Sequence, residues 1–354
     1  MSSERHAPVL FFSRGMGRGH AIPDAAIATE LRRIDPSLQI LFVSWSVGAA
    51  TLRDLGERVV DLDLPESPSI WESVRASIPL FERYRPSFVI SHEEFSCLPL
   101  ARTFGLRSVF LIDWFIGPKT IQMQSLQYAD KIIFLDEPGY YDEPPYLAGK
   151  VAYTGCVVRP IETVPEKTRA RSMLNLPANA HVITVLPGGS AMHTEAQAPM
   201  FELVEGAFAL LDASVKRLVW IAGDSDHLAL SAKTNPEVLV RPPTNAALAL
   251  IAASDLIITK GNRNTLFEAS ALGIPSISVS FGANPIDDYR ALRINGNTAL
   301  RAGGLTCRTL STYMKASVGQ RGSLTRSKPE LLSRPRRRAA EEILATEVRD
   351  RLGN

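Results

Sequence analysis

His20 closes a bare-backbone loop, residues 13–23 (SRGMGRGHAIP), in which Gly15, Gly17 and Gly19 alternate with Met16 and Arg18. Histidine as a class titrates near neutrality and can take a proton from an attacking hydroxyl. Three glycines this close are conformationally costly unless something must approach the backbone. An apolar run, VLFFS, precedes the loop and a helical pattern, DAAIATELRRI, follows it. Strand, glycine turn and helix make an anion site, because the first helical N–H groups point at the ligand. Gly15, Gly17, Arg18 and Gly19 are therefore candidates for phosphate contact, and His20 is the candidate base. Glu93, Glu94 and Asp113, acids at strand ends, rival it. The plainer reading of His20 is a loop cap or a phosphate contact.

Two familiar nucleotide loops do not fit. A P-loop needs a lysine and a hydroxyl after its last glycine, and GRGHA has neither. A dinucleotide loop wants a small residue where His20 stands, and an acid at the end of the second strand, where LFVSWS has none.

A second chemical stretch is residues 255–281, DLIITKGNRNTLFEASALGIPSISVSF. Here a strand ends at Thr259, and Lys260, Gly261 and Asn262 make a turn. A helix then starts near Asn262 or Asn264, both good N-caps. Gly273 and Pro275 stop it. Glu268 shares a helical face with Asn264 and can accept both hydroxyls of a ribose. Another glycine turn, LPGGS at 186–190, follows the first strand of this half. Two such turns on one ligand suggest a nucleoside diphosphate.

The elements that must position these groups alternate. Strands are expected at VLFFS, LQILFVSW, SFVISH, SVFLID and KIIFLD, then at HVITVLP, RLVWIAG, DLIITK and PSISVSF, with helical patterns between them. This predicts an α/β fold of two Rossmann-like, doubly wound parallel sheets facing a cleft. The expected domains are residues 1–160 and 161–334, followed by a final helix, 335–354. The helix carries Ile343, Leu344, Val348 and Leu352 at helical spacing.

The chain has 354 residues, 45% hydrophobic, with a formal net charge of +2, which gives no signal for nucleic acid. Its 3 cysteines form no CxxC pair, and its 6 histidines no HxxxH pair. Neither a disulfide framework nor a metal site is expected, so no cofactor is. The first seven residues are polar, and no apolar run is long enough to cross a bilayer. The expected location is the cytoplasm, with room for a peripheral contact at the inner membrane face.

In order and spacing the chain resembles the MurG-type UDP-sugar glycosyltransferases, GT-B enzymes of the family 28 kind. GMGRGH resembles that family's N-terminal glycine loop, and RPSFVISHEEFSCLPLA its "P-D-V-V-x-x-x-G-x-x-S-x-P" stretch. YTGCVVRP is similar to "G-N-P-V-R", LPGGS to "G-G-S", and TKGNRNTLFEASALGIPSISVSF to the donor strand and helix. The resemblance implies an inverting, metal-independent transfer of a hexose or N-acetylhexosamine from a UDP-sugar to an acceptor hydroxyl, lipid-linked or on an envelope glycan. It implies that residues 1–160 take the acceptor, with Gly15, Gly17, Arg18 and Gly19 in the acceptor loop, that residues 161–334 take the sugar nucleotide, that the helix 335–354 packs back on the first domain, and that Glu268 contacts the ribose. Gly188, Gly189, Ser190 and Arg159 would face the diphosphate with Gly261, Asn262, Asn264 and Thr265, and the backbone near Arg241 would hold the base. Alternatives are a UDP-GlcNAc 2-epimerase-like enzyme and a non-catalytic sugar-nucleotide subunit.

The match departs in three places. The family's "H-E-Q-N" becomes residues 112–115, IDWF, which keep only Asp113, so its usual acceptor does not follow. "Q-G-A" after the serine becomes AMH. The glutamines that reach the sugar become Asp287 and Asp288, which can accept from two hydroxyls but do not name the hexose. Three further stretches have plain readings: Asp224–Asp226 as a polar loop rather than a metal motif, residues 69–85 as core packing rather than a membrane face, with Pro79 interrupting the helix, and residues 326–338 as a solvated basic segment.

Overall fold

The computed structural model describes residues 7–113, 124–139, 142–162, 164–188, 197–212, 216–221, 235–242, 246–281, 293–320 and 323–351. The chain divides into two compact units, one of Met1–Arg159 with Glu330–Asn354, the other of Pro160–Pro329.

The first unit holds β1 (Val9–Ser13), α1 (Ala21–Ile34), β2 (Ile40–Ser44), α2 (Ser46–Asp54), β3 (Val59–Asp61), α3 (Ile70–Tyr84), β4 (Phe88–His92), α4 (Cys97–Thr103), β5 (Ser108–Ile112), β6 (Lys131–Phe134) and β7 (Val151–Tyr153). Its seven strands run in the order β3-β2-β1-β4-β5-β6-β7, every pair parallel. A parallel sheet is covered on both faces, so its central strands are buried throughout and mostly apolar. Accordingly Val9 and Phe11 enter one core cluster while Leu10 and Phe12 enter another.

The second unit holds α5 (Lys167–Met173), β8 (His181–Leu186), α6 (Gln197–Ala209), β9 (Lys216–Ile221), β10 (Val238–Arg241), α7 (Ala247–Ala253), β11 (Leu256–Thr259), α8 (Arg263–Ala271), β12 (Ser276–Ser280), β13 (Asn297–Arg301) and α9 (Cys307–Gln320). Its order is β10-β9-β8-β11-β12-β13, again parallel. Each sheet reverses direction of winding once, between β1 and β4 and between β8 and β11. In doubly wound sheets ligands bind outside the strand C-termini at that point.

The last helix, α10 (Pro329–Arg351), starts six residues before the expected 335. Ala339, Ala340 and Ile343 are buried in the first unit's core, with Leu344 packed against them. Arg336 donates from Nε to Glu30 Oε1 at 3.1 Å, a buried tie to α1. Val348 and Leu352 lie outside the described side chains. The basic segment is thus not simply solvated: Arg336 is core-facing, and Arg326 donates to Ile161 O and Glu166 Oε1.

Pro79 does not break α3, which runs through it. Ser69 and Glu72 close the N-terminus with a reciprocal capping box, and Leu80 and Phe81 bury the face beyond the proline. Among the described residues no helix is long and apolar enough to cross a membrane.

Candidate functional site

The two switch points carry two clusters, one in each unit. In the first, the loop after β1 and the turn after β4 lie side by side, because Ser13 pairs with His92 in the sheet. Gly15 is bare for a local reason: a Cβ there would stand 2.4 Å from Trp45 O and 2.5 Å from Trp45 Cγ. Its bareness belongs to packing rather than to a ligand. Gly17 has φ +66°, and Arg18 is half-buried. A Cβ at Gly19 would meet nothing within 4 Å, so this glycine is open.

His20 takes the N-cap position of α1 but makes no side-chain cap hydrogen bond. Its Nε2 lies 3.1 Å from Glu93 Oε2, while its Nδ1 is buried without a hydrogen-bond partner among the described residues. Glu93 is 3% exposed and holds φ +54°, an uncommon backbone for a residue with a side chain. Arg14 Nη1 approaches the same carboxylate oxygen at 3.5 Å.

Beneath His20 lies a pair that sequence reasoning missed. His92 Nδ1 sits 2.6 Å from Asp24 Oδ1, both side chains buried. The His20 and His92 rings meet edge to face at 4.7 Å. Burial alone would lower the His92 pKa, but the charge and hydrogen bond of Asp24, then Glu93 and Asp113, outweigh it and hold it above the usual value. Asp113, just past β5, thus reaches this cluster through its field. Glu94 bonds elsewhere: its Oε1 accepts from Ser96 N and Oγ. Burial pushes the Glu94 carboxyl up, against those hydrogen bonds and the field of Arg14.

In the second unit the turns after β8 and β11 converge. Asn262 is the N-cap of α8, yet its side chain does not cap the helix. Its Nδ2 instead donates to Leu186 O at 3.0 Å. Gly188, at φ +101°, sits so close that a Cβ would stand 3.1 Å from the Asn262 amide. Gly261 also has positive φ, at +98°. Asn264, Thr265 and Glu268 all fall on α8, with Glu268 2% exposed. The Arg241 guanidinium donates to Leu174 O at 2.6 Å, and its backbone pairs with Ile221 in the sheet. Arg159 is the last residue of the first unit before Pro160. Lys260, in the β11–α8 turn, is pushed down to about 8 by burial; the sequence marks it only as a turn residue. Gly189, Ser190, Asp224–Asp226, Asp287 and Asp288 lie outside the described residues.

No family model matches the chain. Over 297 residues it is 24% identical to the UDP-N-acetylglucosamine–N-acetylmuramyl-(pentapeptide) pyrophosphoryl-undecaprenol N-acetylglucosamine transferase of Desulforudis audaxviator, covering 77% of this chain and 78% of that one. The crystal structure of Acinetobacter baumannii MurG superposes with a TM-score of 0.59 at 14% identity, covering 95% of this chain and 99% of that one. A Listeria monocytogenes protein assigned as a UDP-N-acetylglucosamine 2-epimerase reaches 0.67 at 14% identity, over 96% and 95%. Fold likeness is thus shared by both chemistries, while the sequence match is to the transferase. The chain is similar in sequence to the MurG-type transferases, and its two parallel sheets have the GT-B fold.

Proposed function

We propose that this protein is an inverting glycosyltransferase that moves a hexose or N-acetylhexosamine from a UDP-sugar to an acceptor hydroxyl. The observation that carries the reading is the meeting of the Gly188 turn and Asn262 beside a helix N-terminus, with buried Glu268 along the same helix. Backbone N–H groups there receive the diphosphate, and Glu268 takes the ribose hydroxyls. The acceptor oxygen forms a bond to the anomeric carbon as the bond to the phosphate oxygen breaks. The nucleoside diphosphate leaves with the electron pair, its charge stabilised by those N–H groups, Arg159 and Ser190 rather than by a metal.

The acceptor proton goes to His20. Glu93 holds the ring through Nε2, so Nδ1 is the lone-pair nitrogen. Because Nδ1 is buried, the glycine loop must open for the hydroxyl to reach it. Asp113 adds negative charge to the cluster through its field on His92.

A lipid-linked acceptor is carried over from the relatives, whose name includes undecaprenol. The epimerase alternative has fold likeness alone. Incubation with UDP-hexoses and a panel of polyprenyl-linked and free acceptors tests the reading. Acceptor-dependent release of UDP with a glycosylated product supports it, and epimerised sugar without an acceptor product overturns it.

A further inference from the structure

Four buried polar atoms around His20 have no hydrogen-bond partner among the described residues: His20 Nδ1, His92 Nε2, Glu93 Oε1 and Asp24 Oδ2. His92 is 1% exposed and Glu93 3%. A buried imidazole nitrogen in this position is unsatisfied in either state. Protonated, its N–H lacks an acceptor; neutral, its lone pair lacks a donor. Leaving such a group unmatched is costly. In the same place one ligand atom each from His20, His92 and Glu93 lie within 4.8 Å of one another.

We propose that His20, His92 and Glu93 form a binding site for a divalent transition-metal cation of the Zn²⁺ class. Two imidazoles and a carboxylate are a donor set zinc prefers, and three protein ligands leave one position open. Ligand atoms about 2.0–2.1 Å from zinc stand roughly 3.4 Å apart in a tetrahedron, so the set needs a small inward movement. His20 can make it, being in the glycine loop, while His92 and Glu93 are anchored at the end of β4. Asp24 acts one shell out: its hold on His92 Nδ1 at 2.6 Å fixes the tautomer whose Nε2 lone pair faces the cluster. The left-handed backbone at Glu93 brings its carboxylate into the same cluster. Arg14 opposes the site from 3.5 Å, but its side chain is 28% exposed and can withdraw to solvent.

Each imidazole binds as the neutral ring, and any proton it carries passes to solvent. The consequence for catalysis rests on the transferase reading. A cation on His20 takes the lone pair needed for the acceptor proton, so occupancy stops transfer. The donor turns lie in the other unit, and UDP affinity stays unchanged.

The test uses the full, tag-free chain freed of metal by chelation. Titration with Co²⁺ should bring up visible absorption bands at one equivalent, and Zn²⁺ should displace them. His20→Gln and Glu93→Gln should each weaken binding at least tenfold. Asp24→Asn, which keeps all three ligands, should weaken it by about 10–100-fold. Circular dichroism establishes that each variant is folded. Absence of the bands, or binding unchanged in folded His20→Gln and Glu93→Gln, overturns the site. Zn²⁺ should also abolish transfer reversibly, with chelator restoring it. If no transfer is found with any acceptor, the cobalt spectrum still decides the metal site.

Discussion

His20 Nε2 stands 3.1 Å from Glu93 Oε2, although the residues are 73 positions apart. The contact exists because β1 and β4 are neighbours at the point where the sheet reverses its winding. If this pair handles the acceptor proton, His20→Ala should slow transfer ~10²-fold or more. UDP affinity, measured by calorimetry, should stay within twofold. Glu93→Gln keeps a partner for the ring but removes the charge, and should lower kcat with little change in the donor's KM. Full activity in His20→Ala removes histidine as the base.

Lys260 provides a pH test of the donor turn. Burial holds its ammonium near a pKa of about 8, so its charge grows as pH falls from 9 to 7. A diphosphate at that turn should therefore bind more tightly across that window, by roughly tenfold, the scale of one hydrogen bond to a charged group. Lys260→Gln should flatten the profile. A wild-type profile that is already flat places the diphosphate elsewhere.

Glu94 bears on stability. Its carboxyl is raised by burial, so the folded chain holds a proton that the unfolded chain releases above the ordinary carboxylate range. Stability from this group is present at low pH and lost as pH rises through the folded pKa. Glu94→Gln keeps an oxygen for Ser96 and removes the charge. Urea denaturation should show the variant more stable than the parent at pH 8, with the gap closing toward pH 4. A gap that widens on acidification contradicts this.

Asp255 braces the second unit. It accepts from Lys167 Nζ at 2.6 Å, Arg171 Nη2 at 2.7 Å and Val182 N at 2.8 Å. Arg171 is 3% exposed, so Asp255→Ala strands a buried guanidinium and should cost about 3–5 kcal/mol. Thermal melting reads this; a loss under 1 kcal/mol means solvent reaches Arg171.

The nine strands visible in the sequence are the inner strands of both sheets, where burial on two faces enriches apolar and β-branched residues. The four that escaped notice, Val59–Asp61, Val151–Tyr153, Val238–Arg241 and Asn297–Arg301, are the four edges. Edge strands pair on one side and are largely half-buried, so their composition resembles that of loops. Pro79 misled because a proline costs a helix one bond, which packing at Leu80 and Phe81 can outweigh. His20 and Glu93 were legible as polar groups at strand ends. Asp24 and His92 were not, since Asp24 reads as an ordinary acid in a first helical turn and His92 as the end of a strand. Only the adjacency of β1 and β4 brings them together.

The donor site in the second unit is the account's central claim, and calorimetric titration of UDP into wild-type and Glu268→Ala chains measures it most directly. Saturable binding to the wild type, weakened by about 1–3 kcal/mol in the variant, is the predicted result. No heat of binding in the wild type, or equal affinity in the two chains, contradicts it.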